Sequence, residues 1–250
     1  MEAQSRRQTW IARRRRRAQT FWEEDWSLTA LLLFLIINIV VFPLAHFEPW
    51  GRVIVRGLMS LIILSGAFAL IQRPQVLALV WAIALALLLL GFRGAEHPDL
   101  RLNILNDLGS ALLVGTLLVL MLRQVLRGGP ITIRRVQGAV ALYLLLGVAW
   151  AILFDLIETI QPGSFRVPGA VGKNMLSELS YFSFTTLTTL GLGDILPINP
   201  LARSLVMLEA LVGQLFPVIL IARMVTMEIG YRERRQDAAQ ERHGRDARLN

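Results

Sequence analysis

Six long apolar stretches, near residues 28–45, 53–71, 75–92, 103–126, 136–160 and 201–229, limit what this 250-residue chain can fold into. Each is long enough to cross a bilayer core of about 30 Å as a helix rising about 1.5 Å per residue. The expected fold is therefore an all-α membrane protein with six transmembrane helices. The composition agrees, because 54% hydrophobic residues is well above what an ordinary soluble domain carries. There are no cysteines, which excludes disulfides, thiolate chemistry and Cys-based zinc sites. A seventh apolar piece, near residues 175–187, is too short to cross. It follows Asn174, a good helix N-cap, and runs into a Thr- and Gly-rich segment, so it reads as a re-entrant helix. Irregular backbone of that kind survives at membrane depth only where it lines a water-filled cavity.

The net charge of +8 comes almost wholly from arginine, and Lys173 is the only lysine. Nucleic-acid binding is the poorer account of this charge, because the arginines cluster at the ends of apolar segments. Three clusters fall on one side of a six-span chain: Arg6, Arg7 and the run Arg13, Arg14, Arg15, Arg16 and Arg17; then Arg123, Arg127, Arg134 and Arg135; then Arg232, Arg234, Arg235, Arg242, Arg245 and Arg248. By the positive-inside rule that side, with both termini, is cytoplasmic, and the membrane is expected to be the plasma (inner) membrane. The arginines at 13–17 also suit anionic lipid headgroups. Trp22 and Trp26 flank Glu23, Glu24 and Asp25 before the first span, which fits an interfacial belt better than a cleaved leader.

Residues 185–194 read Thr-Thr-Leu-Thr-Thr-Leu-Gly-Leu-Gly-Asp. Gly191 and Gly193 can take left-handed backbone conformations without steric cost, while Leu190 and Leu192 keep ordinary ones. Residues 186–194 resemble the potassium-channel signature T-x-x-T-x-G-[YFL]-G-D. The last hundred residues also follow the outer-helix, pore-helix, filter and inner-helix order of tetrameric cation channels. The resemblance implies a selectivity filter at Thr189, Leu190, Gly191, Leu192, Gly193 and Asp194. Potassium would be held by the backbone carbonyls of Thr189, Leu190, Gly191 and Leu192, which replace its hydration shell. It implies a homotetramer, since one chain supplies one filter strand, and no cofactor beyond the permeant K+.

By the same resemblance Tyr181 matches an aromatic donor that holds the closing aspartate, and Thr185 stands where some relatives place a buried glutamate. Thr185, Thr188, Tyr181 and Glu209 are expected to support the filter. Leu192 replaces the commoner tyrosine, leaving the carbonyl in place but removing a ring and a hydrogen bond from the packing behind it. On the last span Gly213 sits where relatives carry a flexible glycine, and close helix packing is the alternative use of it. Pro217 removes an intrahelical hydrogen bond four residues on. Gln214, Pro217 or Val218, Ile221 and Val225 fall on one helical face, which lines the cavity and gate by alignment to the family. Gln214 either meets hydrated ions beneath Thr189 or makes an interhelical hydrogen bond. Glu209, one turn before Gly213, is costly in hydrocarbon and marks a functional position. Its candidate partners are Ser180, Ser183, Thr185 and Arg203.

The expected domain division is 1–27 as a basic cytoplasmic or interfacial segment, 28–128 as a four-helix membrane domain, 129–231 as the pore domain and 232–250 as a polar cytoplasmic tail. The fourth span holds only Arg123 near its end, so no arginine-rich voltage sensor is expected. Arg56 and Asp107 are placed to pair across helices.

Two other functions share these residues. A weakly selective cation channel, or a membrane protein that regulates without conducting, is suggested by Leu192 and the short tail. Gly191, Leu192, Gly193 and Asp194 also spell the G-x-G-D of intramembrane aspartyl proteases, with Asp155 after Phe154 as a second carboxylate. Pro197 and Pro200 break any helix just after Asp194, which argues for an interfacial loop there and against an enzyme.

Overall fold

The computed structural model describes residues 29–40, parts of 57–66 and 78–90, and 100–126, 132–169 and 175–249. The arginine run at 13–17, Trp22, Trp26, Arg56, Lys173 and Asn174 lie outside the described residues.

Helix α1 is Thr29–Val40. Residues described within 57–66 and 78–90 are helical, followed by α2 (Leu100–Val125), α3 (Ile133–Ile160), strand β1 (Phe165–Arg166), α4 (Met175–Leu187), strand β2 (Leu196–Pro197) and α5 (Pro200–Leu249). Three of the described helices are long and apolar enough to cross a bilayer: Leu100–Val125, Arg135–Ile160 and the Pro200–Tyr231 part of α5. This is a helical integral membrane protein. The small departure from all-α is the antiparallel pairing of β1 with β2, Phe165 opposite Pro197 and Arg166 opposite Leu196. Pro162 and Pro197 interrupt helix in these two loops, whose backbone groups pair with each other instead.

The ends of the helices have local causes. α3 stops at Gln161, whose N–H still reaches the Ile157 carbonyl, because Pro162 cannot continue the ladder and Gly163 turns away at φ +86°. α5 starts at Pro200, a first-turn residue that needs no donor, and the Asn199 side chain accepts from the Leu201 N–H at 2.8 Å. Past that cap α5 runs unbroken through Gly213 and Pro217.

α2 packs along α3, α3 against α4, and α4 against α5. One core joins Leu31 and Leu35 of α1 to Ile62, Ala84, Met121 of α2 and Leu142 of α3. A second, at the other end of α3, is built on three mutually touching rings: Phe154, Phe165 and Phe182, with centroids 5.3 to 5.7 Å apart. Such tilted contacts are worth about 0.5–1.5 kcal/mol each beyond the area they bury. They bring α3, the loop after it and α4 into one unit. α3 is the central helix, with 50% of its membrane window buried, against 11% for α5. The Pro200–Tyr231 part of α5 therefore offers an apolar surface that the other described residues leave largely uncovered.

Candidate functional site

The site is the segment after α4 together with the two helices that hold it. α4 carries Ser183 on a buried face, and Ser183 Oγ lies 2.8 Å from the Gly147 carbonyl of α3 and 2.5 Å from Glu209 Oε1 of α5. One helical turn further along all three helices the pattern repeats. Tyr143 donates to the Leu187 carbonyl at 3.1 Å, and Gly213 lies directly against that carbonyl. The spacing of four on each helix, 143 and 147, 183 and 187, 209 and 213, puts successive contacts on one face. Both glycines permit the approach. A Cβ on Gly147 would stand 2.6 Å from the Phe184 ring, and one on Gly213 only 2.2 Å from the Leu187 oxygen.

Beyond Leu187 the helix tightens and ends. Thr188 donates from its N–H and its hydroxyl to the Phe184 carbonyl, and the Thr189 N–H reaches Thr186 O at 2.9 Å. The chain then turns back, the Gly191 N–H donating to the Thr185 carbonyl at 3.1 Å. Thr189, Gly191 and Gly193 have φ of +59°, +54° and +77°, with Leu190 and Leu192 between them outside that region. A left-handed residue at every second position departs from a regular strand, in which no residue takes that conformation. The left-handed glycines are as expected from sequence. Thr189 is not: a side chain there costs about 1–2 kcal/mol, and no sequence rule marks it. Gln214 Nε2 donates to Thr189 Oγ1 at 3.1 Å, so Gln214 reaches from α5 to the turned segment rather than to another helix.

At the other end of the segment the Tyr181 hydroxyl donates to Asp194 Oδ2 at 2.8 Å, and Asp194 Oδ1 accepts from the Ile195 N–H at 3.1 Å. The residues from Thr188 to Asp194 are exposed in the single chain, with Leu190 63% and Leu192 59% accessible. Thr185 takes no part in holding Asp194. Its hydroxyl bonds back to the Phe182 carbonyl of its own helix at 2.8 Å, the local bond that threonine makes readily. Glu209 is fully buried, and of the partners expected for it Ser183 is the one in contact. Arg203 is turned away, its Nε on the Pro197 carbonyl at 3.1 Å. Gly213 serves close packing, and Ile221 is exposed at 61% on the uncovered face of α5. Asp107 accepts from Thr159 at 3.2 Å.

Sequence reasoning missed Glu158. Its two carboxylate oxygens accept from the N–H groups of Gly163 and Phe165 at 2.8 and 3.0 Å, folding the loop back over the end of α3. Ser164 extends this tie, its carbonyl accepting from the N–H groups of Ile198 and Asn199 beyond the turned segment. A carboxylate one turn before a Pro-Gly pair was the available signal. Glu158→Ala leaves two loop N–H groups without their acceptor and should lower stability by about 1–3 kcal/mol, read as a fall in the thermal midpoint in detergent. An unchanged midpoint would mean that the β1–β2 pairing holds the loop alone.

Among the described residues no group of three His, Cys, Asp or Glu side chains is placed to hold a metal. Between Thr188 and Gly193 the oxygen donors are backbone carbonyls and threonine hydroxyls, which suit a weakly bound hard cation, while the Asp194 carboxylate is engaged by Tyr181 and the Ile195 N–H.

Residues 139–229 match the family described as ion channel. The chain is also similar to the inward rectifier potassium channel Kirbac3.1 of Paramagnetospirillum magnetotacticum, 37% identical over 90 residues, which is 34% of this chain and 26% of that protein. The chain thus spans about a quarter of the length of that curated relative. The family match takes in α3 from residue 139, α4, the turned segment and the apolar part of α5.

Proposed function

We propose that this chain, whose residues 139–229 match the ion channel family, is a potassium channel that assembles as a homotetramer and conducts K+ passively through four copies of residues 189–194. The observation that carries the reading is the left-handed backbone at Thr189, Gly191 and Gly193, anchored at one end by Gln214 and at the other by Tyr181. A row of carbonyls turned one way replaces a hydration shell only when other copies complete the ring. The uncovered face of α5, with Leu211, Leu215, Val218 and Val225 exposed, supplies apolar surface for those copies or for lipid. Four facing Ile221 side chains would form an apolar constriction that gates by dewetting.

In this reading residues 129–231 are the pore domain, 28–128 a membrane domain that is not strongly voltage sensing, and 232–250 a cytoplasmic tail. The protein sits in the inner membrane with both termini cytoplasmic, and the arginines at 13–17 face anionic lipid. Tyr181 and Glu209 brace the filter from behind. Purified protein in liposomes should pass potassium down its gradient and pass sodium far more slowly. Equal fluxes of the two ions would favour the weakly selective reading, which Leu192 supports because the packing behind the filter lacks a phenol.

The proteolytic reading is tested separately. Asp155→Asn is expected to leave potassium flux unchanged, since Asp155 lies on α3 outside the filter. Peptide cleavage that disappears on replacing either Asp155 or Asp194 would reverse the assignment.

A further inference from the structure

Ser183 stands between two oxygens, and its hydroxyl carries a single proton. Gly147 O is 2.8 Å from Ser183 Oγ on one side and Glu209 Oε1 is 2.5 Å on the other. Gly147 O accepts and cannot donate, and an ionised carboxylate also only accepts. If Glu209 were ionised, Ser183 could satisfy one neighbour, and the other would face it lone pair to lone pair at hydrogen-bond distance. The contact lengths suit either protonation state of the acid; the donor count does not. Two bonds along the line Gly147, Ser183, Glu209 need a second proton, and the carboxyl is where it can reside.

The surroundings point the same way. Glu209 is fully buried, and among the described residues its Oε2 has no hydrogen-bond partner. An ionised carboxylate held by one hydroxyl in this setting would cost several kcal/mol, whereas a neutral acid leaves only a carbonyl oxygen unpaired. Other titratable groups on the three helices are engaged elsewhere or distant along them. On α3, Tyr143 donates to Leu187 O and Asp155 is two turns away. On α4, Tyr181 donates to Asp194 and Glu178 is five residues from Ser183. On α5, Arg203 is on the Pro197 carbonyl.

We infer that Glu209 is a protonated carboxylic acid that donates to Ser183, which in turn donates to the Gly147 carbonyl, so that one proton locks α5, α4 and α3 together behind the segment 188–194. Glu209 is then a positioning residue that acts through α4. The lock deepens the reading of that segment as a filter and rests on it for its functional consequence. The folded chain needs the proton, so raising pH removes it and works against the lock; lowering pH leaves it intact. Losing the lock frees one turn of α4 just before the contact of Leu187 with Tyr143 and Gly213.

The test uses the full chain purified in detergent and in liposomes, as wild type, Glu209→Gln, Glu209→Ala and Ser183→Ala. Infrared difference spectra of wild type against Glu209→Gln near neutral pH should show the carbonyl stretch of a protonated carboxylic acid, absent from the variant. The amide that Glu209→Gln introduces can donate to Ser183 and needs no titratable proton. This variant should therefore keep the wild-type thermal midpoint and potassium flux and retain both at alkaline pH, where the wild type loses them. Glu209→Ala and Ser183→Ala should lose flux by about tenfold or more, since each leaves a buried partner unsatisfied. A spectrum with no protonated-acid band, or a Glu209→Gln variant that fails as Glu209→Ala does, overturns the proposal. The infrared band and the thermal midpoint need no conduction, so they decide the protonation state even if the parent chain passes no potassium and the proposed function itself fails.

Discussion

Gly191→Ala and Gly193→Ala are each expected to abolish selective potassium flux while leaving the folded chain and its assembly largely intact. At both positions a new Cβ meets nothing within 4 Å in the single chain, so space is not the obstacle. The obstacle is the backbone, since φ of +54° and +77° costs any residue with a Cβ about 1–2 kcal/mol. In the proposed tetramer four copies around one ion path multiply that cost, and relaxing it swings a carbonyl out of the row. Thr189 shows what is needed to keep a side chain in this conformation: its hydroxyl is held by Gln214. Alanine has no such handle. The check is potassium flux from liposomes beside a thermal melt, with flux lost and the midpoint nearly unmoved. Undiminished flux in both variants would remove the filter assignment.

The parts of this site that were legible in sequence are those governed by local backbone rules. Gly191 and Gly193 announce left-handed conformations because few other residues adopt them, and the short apolar run before them announces a helix too short to cross. Pro197 and Pro200 mark where helix cannot be. Tyr181 and Asp194 were paired through resemblance, and the structure brings their side chains to 2.8 Å.

What was not legible depends on which faces of the helices meet. α3 and α5 are apolar nearly all round, so hydrophobic periodicity does not say which side of either packs on α4. The pairing of Gly147 with Phe184, of Tyr143 with Leu187 and of Ser183 with Glu209 becomes apparent only when three helices are placed together. Sequence reasoning offered several partners for Glu209, because Ser180, Ser183 and Thr185 all lie on one short helix and differ only in the direction they face. Ser180 and Thr185 bond to carbonyls of their own helix, and Ser183 faces the gap. The apolar stretches near 53–71 and 75–92, and the arginines at 13–17, fall largely outside the described residues.

Gly213→Ala is the second substitution with a large expected effect, for the opposite reason to the filter glycines. Gly213 lies within the unbroken helix α5, where alanine is the better residue by about 1 kcal/mol. Taken alone, helix propensity predicts a more stable and straighter α5. The added Cβ, however, would sit 2.2 Å from the Leu187 oxygen, 2.9 Å from its carbonyl carbon and 3.0 Å from its Cα. These are backbone atoms of the last residue of α4, which no rotamer change can move aside. Relief requires α5 to back away from α4 or the end of α4 to shift toward Tyr143, whose hydroxyl already occupies that carbonyl. Overpacking of this kind costs about 1–3 kcal/mol or more and outweighs the gain in propensity. Because the contact is one residue from Thr188 and two from Thr189, the displacement enters the proposed filter directly. The expected result is a lower thermal midpoint together with loss of potassium-over-sodium selectivity in liposome flux, even with Pro217 unchanged. A purely hinge-like Gly213 would instead alter open probability in single-channel recording and leave selectivity and the midpoint as they were; that outcome would mean α5 stands further from α4 in the assembled protein than in the single chain.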